Sequence, residues 1–245
     1  MSLLPLLKLG FIAAHTVVVA PVIVGVALVD EGAAYRLCQH WARINLGVCG
    51  VRVHTRRVAT LDPAHPYVFM SNHRSQFDIL AVVMALEDFQ LRWVAKKELT
   101  RVPVFGWILS NTGHIIIDRS DHAQAVASLR AARAKMQEGV SVVIFPEGTR
   151  AAPDQRLLPF KKGGFMLALE TGFPIVPVVV RGSAAVLPNH STRIGSGEIE
   201  VVVGAPIPVA GQERDELMRR VQSFMLEELA TPAAAGRVTP VAEAS

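Results

Sequence analysis

Apolar and polar residues follow two different rhythms along this chain. From Leu9 to Val29 no charged residue appears, and only His15 and Thr16 interrupt the apolar run. As one helix that run extends about 31 Å, close to the thickness of a bilayer's hydrocarbon core. Pro21 falls inside it and is expected to kink or break the helix. Residues 31–47 instead show a helical period. Tyr35, Cys38 and Ala42 share one face with Trp41 beside them, and Arg36, Gln39, His40 and Arg43 share the other. Beyond residue 49, short β-branched runs predict strands at 50–55, 67–71, 91–95, 114–118, 141–145, 175–181 and 198–203. Helical patterns lie between them, at about 76–87, 121–138 and 211–230. The second of these is opened by Ser120 or Asp121, turns Val126, Leu129 and Met136 inward, and stops at Gly139. The third sets Leu217, Val221 and Phe224 on one stripe. This alternation predicts an α/β fold: a mixed, mostly parallel sheet of about seven strands flanked by helices. An N-terminal two-helix membrane-anchoring motif precedes it. The expected organisation is a helical motif at 1–48, a domain at 49–230 and a disordered tail at 231–245, rich in Ala, Pro and Thr without a period.

Composition sharpens this picture. Of the 245 residues 51% are hydrophobic and 19% charged, against roughly 25% charge in ordinary soluble domains. Much of the apolar excess sits in the first thirty residues. Whole-chain disorder is excluded, as are collagen-like and disulfide scaffolds. Cys38 and Cys49 fit no metal or redox spacing, which favours a reducing compartment. Lys8 is the only charge before the apolar run, a poor start for a signal peptide. Positive-inside counting across the run is nearly tied, so a helix hairpin in one leaflet and a simple span both remain. The net charge is +4. Basic residues gather at Arg92, Lys96, Lys97 and Arg101, and again at Arg150, Arg156, Lys161 and Lys162. Such clusters suit anionic partners such as phosphate or a phospholipid surface. Nucleic acid is disfavoured, because no helix-turn-helix, RNA-binding or zinc-finger signature occurs. His15, His40, His54, His65, His114, His122 and His190 are scattered without ligand spacing, so no metal is expected.

Four local patterns carry candidate chemistry. Asn72-His73 and Asp78 lie where a strand passes into a helix, the usual place for active groups in α/β proteins. Across that loop the Asp78 carboxylate can reach the His73 ring, fix its tautomer and leave the other nitrogen as a general base. Phe145-Pro146-Glu147-Gly148-Thr149-Arg150 closes an apolar strand with a turn. Its glycine permits close backbone approach, and Arg150 offers a fork suited to phosphate. Pro103, Phe105-Gly106 and Asp118-Arg119 form the third pattern, and Pro174-Ile175-Val176-Pro177-Val178 the fourth. Each has a plainer reading: Asp78 at a helix start, a solvated surface turn, a local ion pair, and a buried strand begun by proline.

Together, in this order and spacing over about 65–185, these patterns resemble the lysophosphatidic acid acyltransferase (1-acylglycerol-3-phosphate O-acyltransferase) family of glycerolipid acyltransferases. Leu158-Pro159-Phe160-Lys161-Lys162-Gly163 adds to the likeness. The resemblance implies an acyltransferase domain at 49–230. His73 takes the proton of a glycerol hydroxyl, Asp78 orients it, and the hydroxyl attacks an acyl thioester directly. No Gly-x-Ser-x-Gly elbow for an acyl-enzyme is present. The developing oxyanion needs donors; the resemblance offers a backbone N–H near Gly148, or Lys96 or Lys97. Arg150 binds the phosphate with Lys161 and Arg119. Asn72, Glu147 and Thr149 complete the substrate-binding set, Glu147 by organising its loop. No cofactor is bound; acyl-CoA or acyl-carrier protein is the donor substrate. The implied partners are lysophosphatidic acid and the phospholipid bilayer, at the cytoplasmic face of the inner (cell) membrane. Other lysolipid acceptors, and a non-catalytic lipid-binding role, are the alternative readings.

Overall fold

The computed structural model describes residues 3–118, 122–152 and 155–231. The expected tail at 231–245, the helix start at Ser120 or Asp121 and Arg119 lie outside the described residues, Thr231 apart, as does the side chain of Val126.

Two long helices open the chain. α1 (Leu4–Ala27) is continuous through Pro21, so the expected break does not occur. The exposed proline removes one backbone donor, and the turns on either side keep their own bonds. α2 (Glu31–Cys49) begins at Asp30, whose carboxylate accepts from the N–H groups of Gly32 and Ala33 at 2.8 and 2.9 Å. It ends at Gly50 in the left-handed region, where glycine fits best. Tyr35 and Ala42 are buried and Arg36, His40 and Arg43 exposed, as the period requires.

All seven predicted strands form: β1 (Val51–Arg57), β2 (Val68–Ser71), β3 (Leu91–Lys96), β4 (Ile115–Ile117), β5 (Ser141–Ile144), β6 (Ile175–Arg181) and β7 (Gly197–Val203). Among the described residues they make one sheet in the order β1-β7-β6-β2-β5-β3-β4. Every pairing is parallel except β6 with β7. The central strands β2 and β5 are buried along their whole length, as strands covered on both faces must be.

The remaining helices are α3 (Phe77–Ala85), α4 (Phe105–Asn111), α5 (His122–Gln137), α6 (Gly163–Thr171), α7 (Ser183–Val186) and α8 (Arg214–Ala230). α2 and α3 bury Leu46, Phe77, Leu80 and Leu86 on one face of the sheet with Phe69 and Val143. On the other face Met136 from α5, Phe165 from α6, and Leu217 and Val221 from α8 pack with Met70 and Ile144. α1 rests on α2.

Two charges are buried, and one of them, Arg92, belongs to a basic cluster expected to meet anionic partners. Arg92 is 1% exposed. Its guanidinium meets the Glu31 carboxylate at 3.1 Å, and Lys135 meets the same carboxylate at 2.8 Å. Arg92 therefore joins β3 to the start of α2 and does not belong to a solvated patch with Lys96, Lys97 and Arg101. Lys8 is 6% exposed. Its Nζ donates to the carbonyls of Cys49 and Gly195 at 2.8 and 3.0 Å, and to Ser196 Oγ at 2.6 Å. A buried ammonium needs such acceptors, and here they fasten α1 to the end of α2 and the loop before β7.

Candidate active site

Register decides which residues meet. Val68, Phe69 and Met70 of β2 lie opposite Val142, Val143 and Ile144 of β5. The chain therefore leaves both strands side by side, at Asn72-His73 and at Phe145. Strand side chains alternate between faces. Val143 joins the core under α2 and α3, and Ile144 joins the opposite core, so Phe145 turns back toward α2 and α3. Trp93 of β3 packs on that same side. The result is a stack of three rings. His73 lies on Phe145 with centroids 3.8 Å apart and planes 8° from parallel, and Phe145 lies on Trp93 at 5.2 Å and 26°.

Asp78 sits in the first turn of α3, fully buried. Its Oδ2 is 2.9 Å from His73 Nδ1 and accepts the backbone N–H groups of Arg74 and Ser75 at 2.6 and 2.8 Å. Three donors on one oxygen hold the carboxylate and the loop as a unit. A proton on Nδ1 facing Asp78 leaves the Nε2 lone pair for a substrate. The His73 side chain is 13% exposed, enough for that nitrogen to be reached while Asp78 stays dry. Ser75 Oγ donates to the Leu187 carbonyl at 2.8 Å and accepts from Phe77 N–H at 3.2 Å, which pins the start of α3.

Glu147 is buried behind the loop. One oxygen accepts the His73 N–H at 2.7 Å and the other the Leu158 N–H at 2.8 Å. Burial pushes its carboxyl up to about 7, against the two backbone N–H groups, which favour the ionised form. The same loop is tied by Ala151 N–H to the His73 carbonyl at 2.8 Å and by Lys161 N–H to the Pro146 carbonyl at 2.7 Å. Glu147 thus joins the base, the turn after β5 and the segment before α6.

The other sequence-predicted residues divide. Asn72 is fully buried, and its amide is committed: Nδ2 donates to the Val180 carbonyl at 3.0 Å and Oδ1 accepts the Val180 N–H at 2.7 Å. Both polar atoms of the side chain are engaged in fastening the exit of β2 to β6. The Gly148 N–H donates to the Phe145 carbonyl at 3.0 Å, so it closes the turn instead of pointing at an oxyanion. The glycine has φ +72°, a conformation side chains disfavour. Thr149 is exposed, Arg150 half-buried and Lys161 exposed along the loop beside His73. Arg150 directly precedes the Ala151 amide bonded to His73, which places its backbone at the base. Lys97 lies at the end of β3 with its Nζ 2.9 Å from Asp118 Oδ2.

Sequence reading did not assign Trp93, Phe145 or Ser75 a part in the site. Period-two alternation places Trp93 and Phe145 on one face, but the ring stack also needs the β3–β5–β2 order. Among the described residues, no group of three His, Cys, Asp or Glu side chains is arranged to hold a metal ion.

Comparison with known proteins adds to this geometry. Residues 50–181 match the sequence model of the Acyltransferase family. The chain is 33% identical over 165 residues to the chloroplast 1-acyl-sn-glycerol-3-phosphate acyltransferase of Brassica napus, covering 67% of this chain and 46% of that protein. It is 34% identical over 181 residues to the human 1-acyl-sn-glycerol-3-phosphate acyltransferase alpha, covering 72% of this chain and 63% of that protein. The chain therefore spans less than two thirds of the length of either relative. The crystal structure of the 1-acyl-sn-glycerophosphate acyltransferase PlsC from Thermotoga maritima superposes with a TM-score of 0.75 at 22% identity, covering 92% of this chain and 94% of that one. That likeness supports the fold.

Proposed function

The chain belongs to the Acyltransferase family, and from that premise we propose that it transfers a fatty acyl group from an acyl thioester to the free sn-2 hydroxyl of 1-acylglycerol 3-phosphate, forming phosphatidic acid. The observation that carries this reading is His73 Nδ1 2.9 Å from the buried Asp78 carboxylate, at the rim where two central strands end.

In this mechanism His73 Nε2 accepts the hydroxyl proton as the oxygen attacks the thioester carbonyl. Asp78 holds the tautomer and stabilises the imidazolium that forms. The tetrahedral intermediate collapses with loss of the thiolate, which takes the proton back from His73. Phe145 and Trp93 keep the ring plane fixed. Arg150 recognises the phosphate as a planar fork, with Lys161 beside it on the loop. The amide of Gly148 serves its turn, so Lys96 and Lys97 remain as the named candidates for the oxyanion, Lys97 with its Nζ paired to Asp118. Acyl-CoA or acyl-carrier protein is the donor.

α1 is long and apolar enough to cross a membrane and is left largely uncovered by the rest of the described chain. We read it as lying in the cytoplasmic leaflet of the inner membrane, because Lys8 ties its first turns to the domain. Leu9 and Ile12 of α1 pack against the same core as Trp93 of the ring stack, which supports an anchor and a base on one side of the sheet.

The test is purified protein with a labelled acyl thioester and a panel of lysolipids. Lysophosphatidate is expected to be converted to phosphatidate, and Arg150→Ala to raise its KM about tenfold or more with little change for an acceptor lacking phosphate. Faster acylation of another lysolipid would redirect the reading to that acceptor. No transfer with either donor class would remove it.

A further inference from the structure

A 3-10 turn at Lys97–Arg101 and the short helix α4 form the connection from β3 to β4. This connection is built tightly. Phe105 N–H donates to the Pro103 carbonyl at 2.6 Å across Val104, which is held at φ +63°. For a β-branched residue that conformation is strained and needs surrounding structure to impose it. The residue after Phe105 must be glycine: a Cβ on Gly106 would collide with the Thr100 carbonyl oxygen. The outcome of this crowding is an apolar prow. Leu99, Val102, Phe105 and Trp107 are 38%, 44%, 39% and 46% exposed. Arg101 is exposed in the midst of them.

The prow continues an apolar surface. α4 packs on α1, and α1 leaves Val17, Val18 and Val22 uncovered. The prow also starts at the end of β3, the strand that brings Trp93 to the ring stack. α1 and the prow thus stand on the face toward which the His73 stack turns.

We propose that the β3–β4 connection is a second membrane-docking element, with Phe105 and Trp107 entering the same leaflet as α1 and Arg101 at the level of the lipid phosphates. The inference rests on the reading of α1 as a leaflet-embedded anchor for an enzyme of membrane lipids. The bilayer is the occupant favoured by continuity with the α1 surface, by an exposed tryptophan, a residue that settles at membrane interfaces, and by the neighbouring cation. Strain at Val104 has a use in this role, since a rigid prow enters lipid without first losing conformational freedom.

The test uses the full chain with Trp41→Phe and Trp93→Phe, leaving Trp107 as sole tryptophan. It is mixed with vesicles of phosphatidylglycerol and phosphatidylethanolamine whose acyl chains carry bromine. Strong quenching of Trp107 on vesicle binding is expected. An unquenched Trp107 in protein that pellets with the vesicles overturns the proposal. In a second arm, Phe105→Asp with Trp107→Asp is expected to weaken vesicle partitioning about tenfold. Unchanged partitioning, with or without conversion of a dimer to a monomer, overturns it; in the dimer case the patch is a contact between copies. Quenching requires no turnover, so a protein that docks by Trp107 but transfers no acyl group supports this inference while removing the reading of the reaction.

Discussion

The imidazole of His73 lies flat on the ring of Phe145, 3.8 Å between centroids. Asp78 holds one ring nitrogen, which fixes a point; Phe145 holds the ring face, which fixes the plane. Together they aim Nε2 in one direction.

Loss of the stack is expected to act on turnover more than on binding. Phe145→Leu should lower kcat about tenfold with KM within about threefold, because a tilted ring misaims the base. Phe145→Tyr should restore most of the rate. Steady-state kinetics of the two variants check this, and equal losses in both variants would contradict it.

The base and its partner should behave as a unit. His73→Ala is expected to abolish transfer in a folded protein. Asp78→Asn keeps the shape, but its amide cannot stabilise an imidazolium as a carboxylate does. It should cost about 10²–10⁴ in kcat. Single-turnover transfer with circular dichroism as a folding control measures both.

Glu147 predicts a pH dependence of stability. Its carboxyl is pushed from 4.5 up to about 7 in the fold. The native state therefore holds a proton that the unfolded chain has released between those values. The stabilisation is fully present below about 4.5, falls as pH rises and is gone above about 7. Glu147→Gln should flatten this slope. The stability difference between wild type and variant should drift across that window by at most ~3 kcal/mol. Urea titrations at a series of pH values provide the measurement.

Asn72→Ala should cost stability ahead of chemistry. It leaves the buried N–H and carbonyl of Val180 without their amide partner, at about 2–4 kcal/mol. A lowered urea midpoint with unchanged slope is expected. Any loss of activity should recover at low temperature, where the protein stays folded.

Lys8→Met should loosen α1. Two carbonyls and a hydroxyl lose a charged donor, worth about 1–3 kcal/mol of docking. Faster proteolytic cleavage within α1, at an unchanged rate in the sheet, is the expected result.

Much of this fold was legible because its signals are local. Ser141–Ile144 is β-branched and stopped by Pro146; Gly139 ends α5 at φ +89°. The pairing of His73 with Asp78 followed from five residues across one loop. What was hidden depends on partners far along the chain. Nothing around Arg92 announces Glu31, 61 residues earlier, so its charge read as surface. Lys8 likewise finds its acceptors across the fold at Cys49 and Gly195. Asn72 looked like a site residue because it adjoins His73, yet its bonds go to Val180, 108 residues away. Sequence separation, not weak chemistry, concealed these roles.

The reversal of β7 against β6 reaches beyond the sheet. Because β1 runs with β7, both strands begin at the rim where β2 and β5 end, and the carbonyls that grip Lys8 stand on that rim. With α1 docked in a leaflet as proposed, the height of the imidazole above the lipid is gauged by the core itself and not by a tether. One residue inserted into β7 would send Ile199, Val201 and Val203 from the core shared with α3 to the opposite face of the sheet, so that gauge cannot be reset without breaking the core.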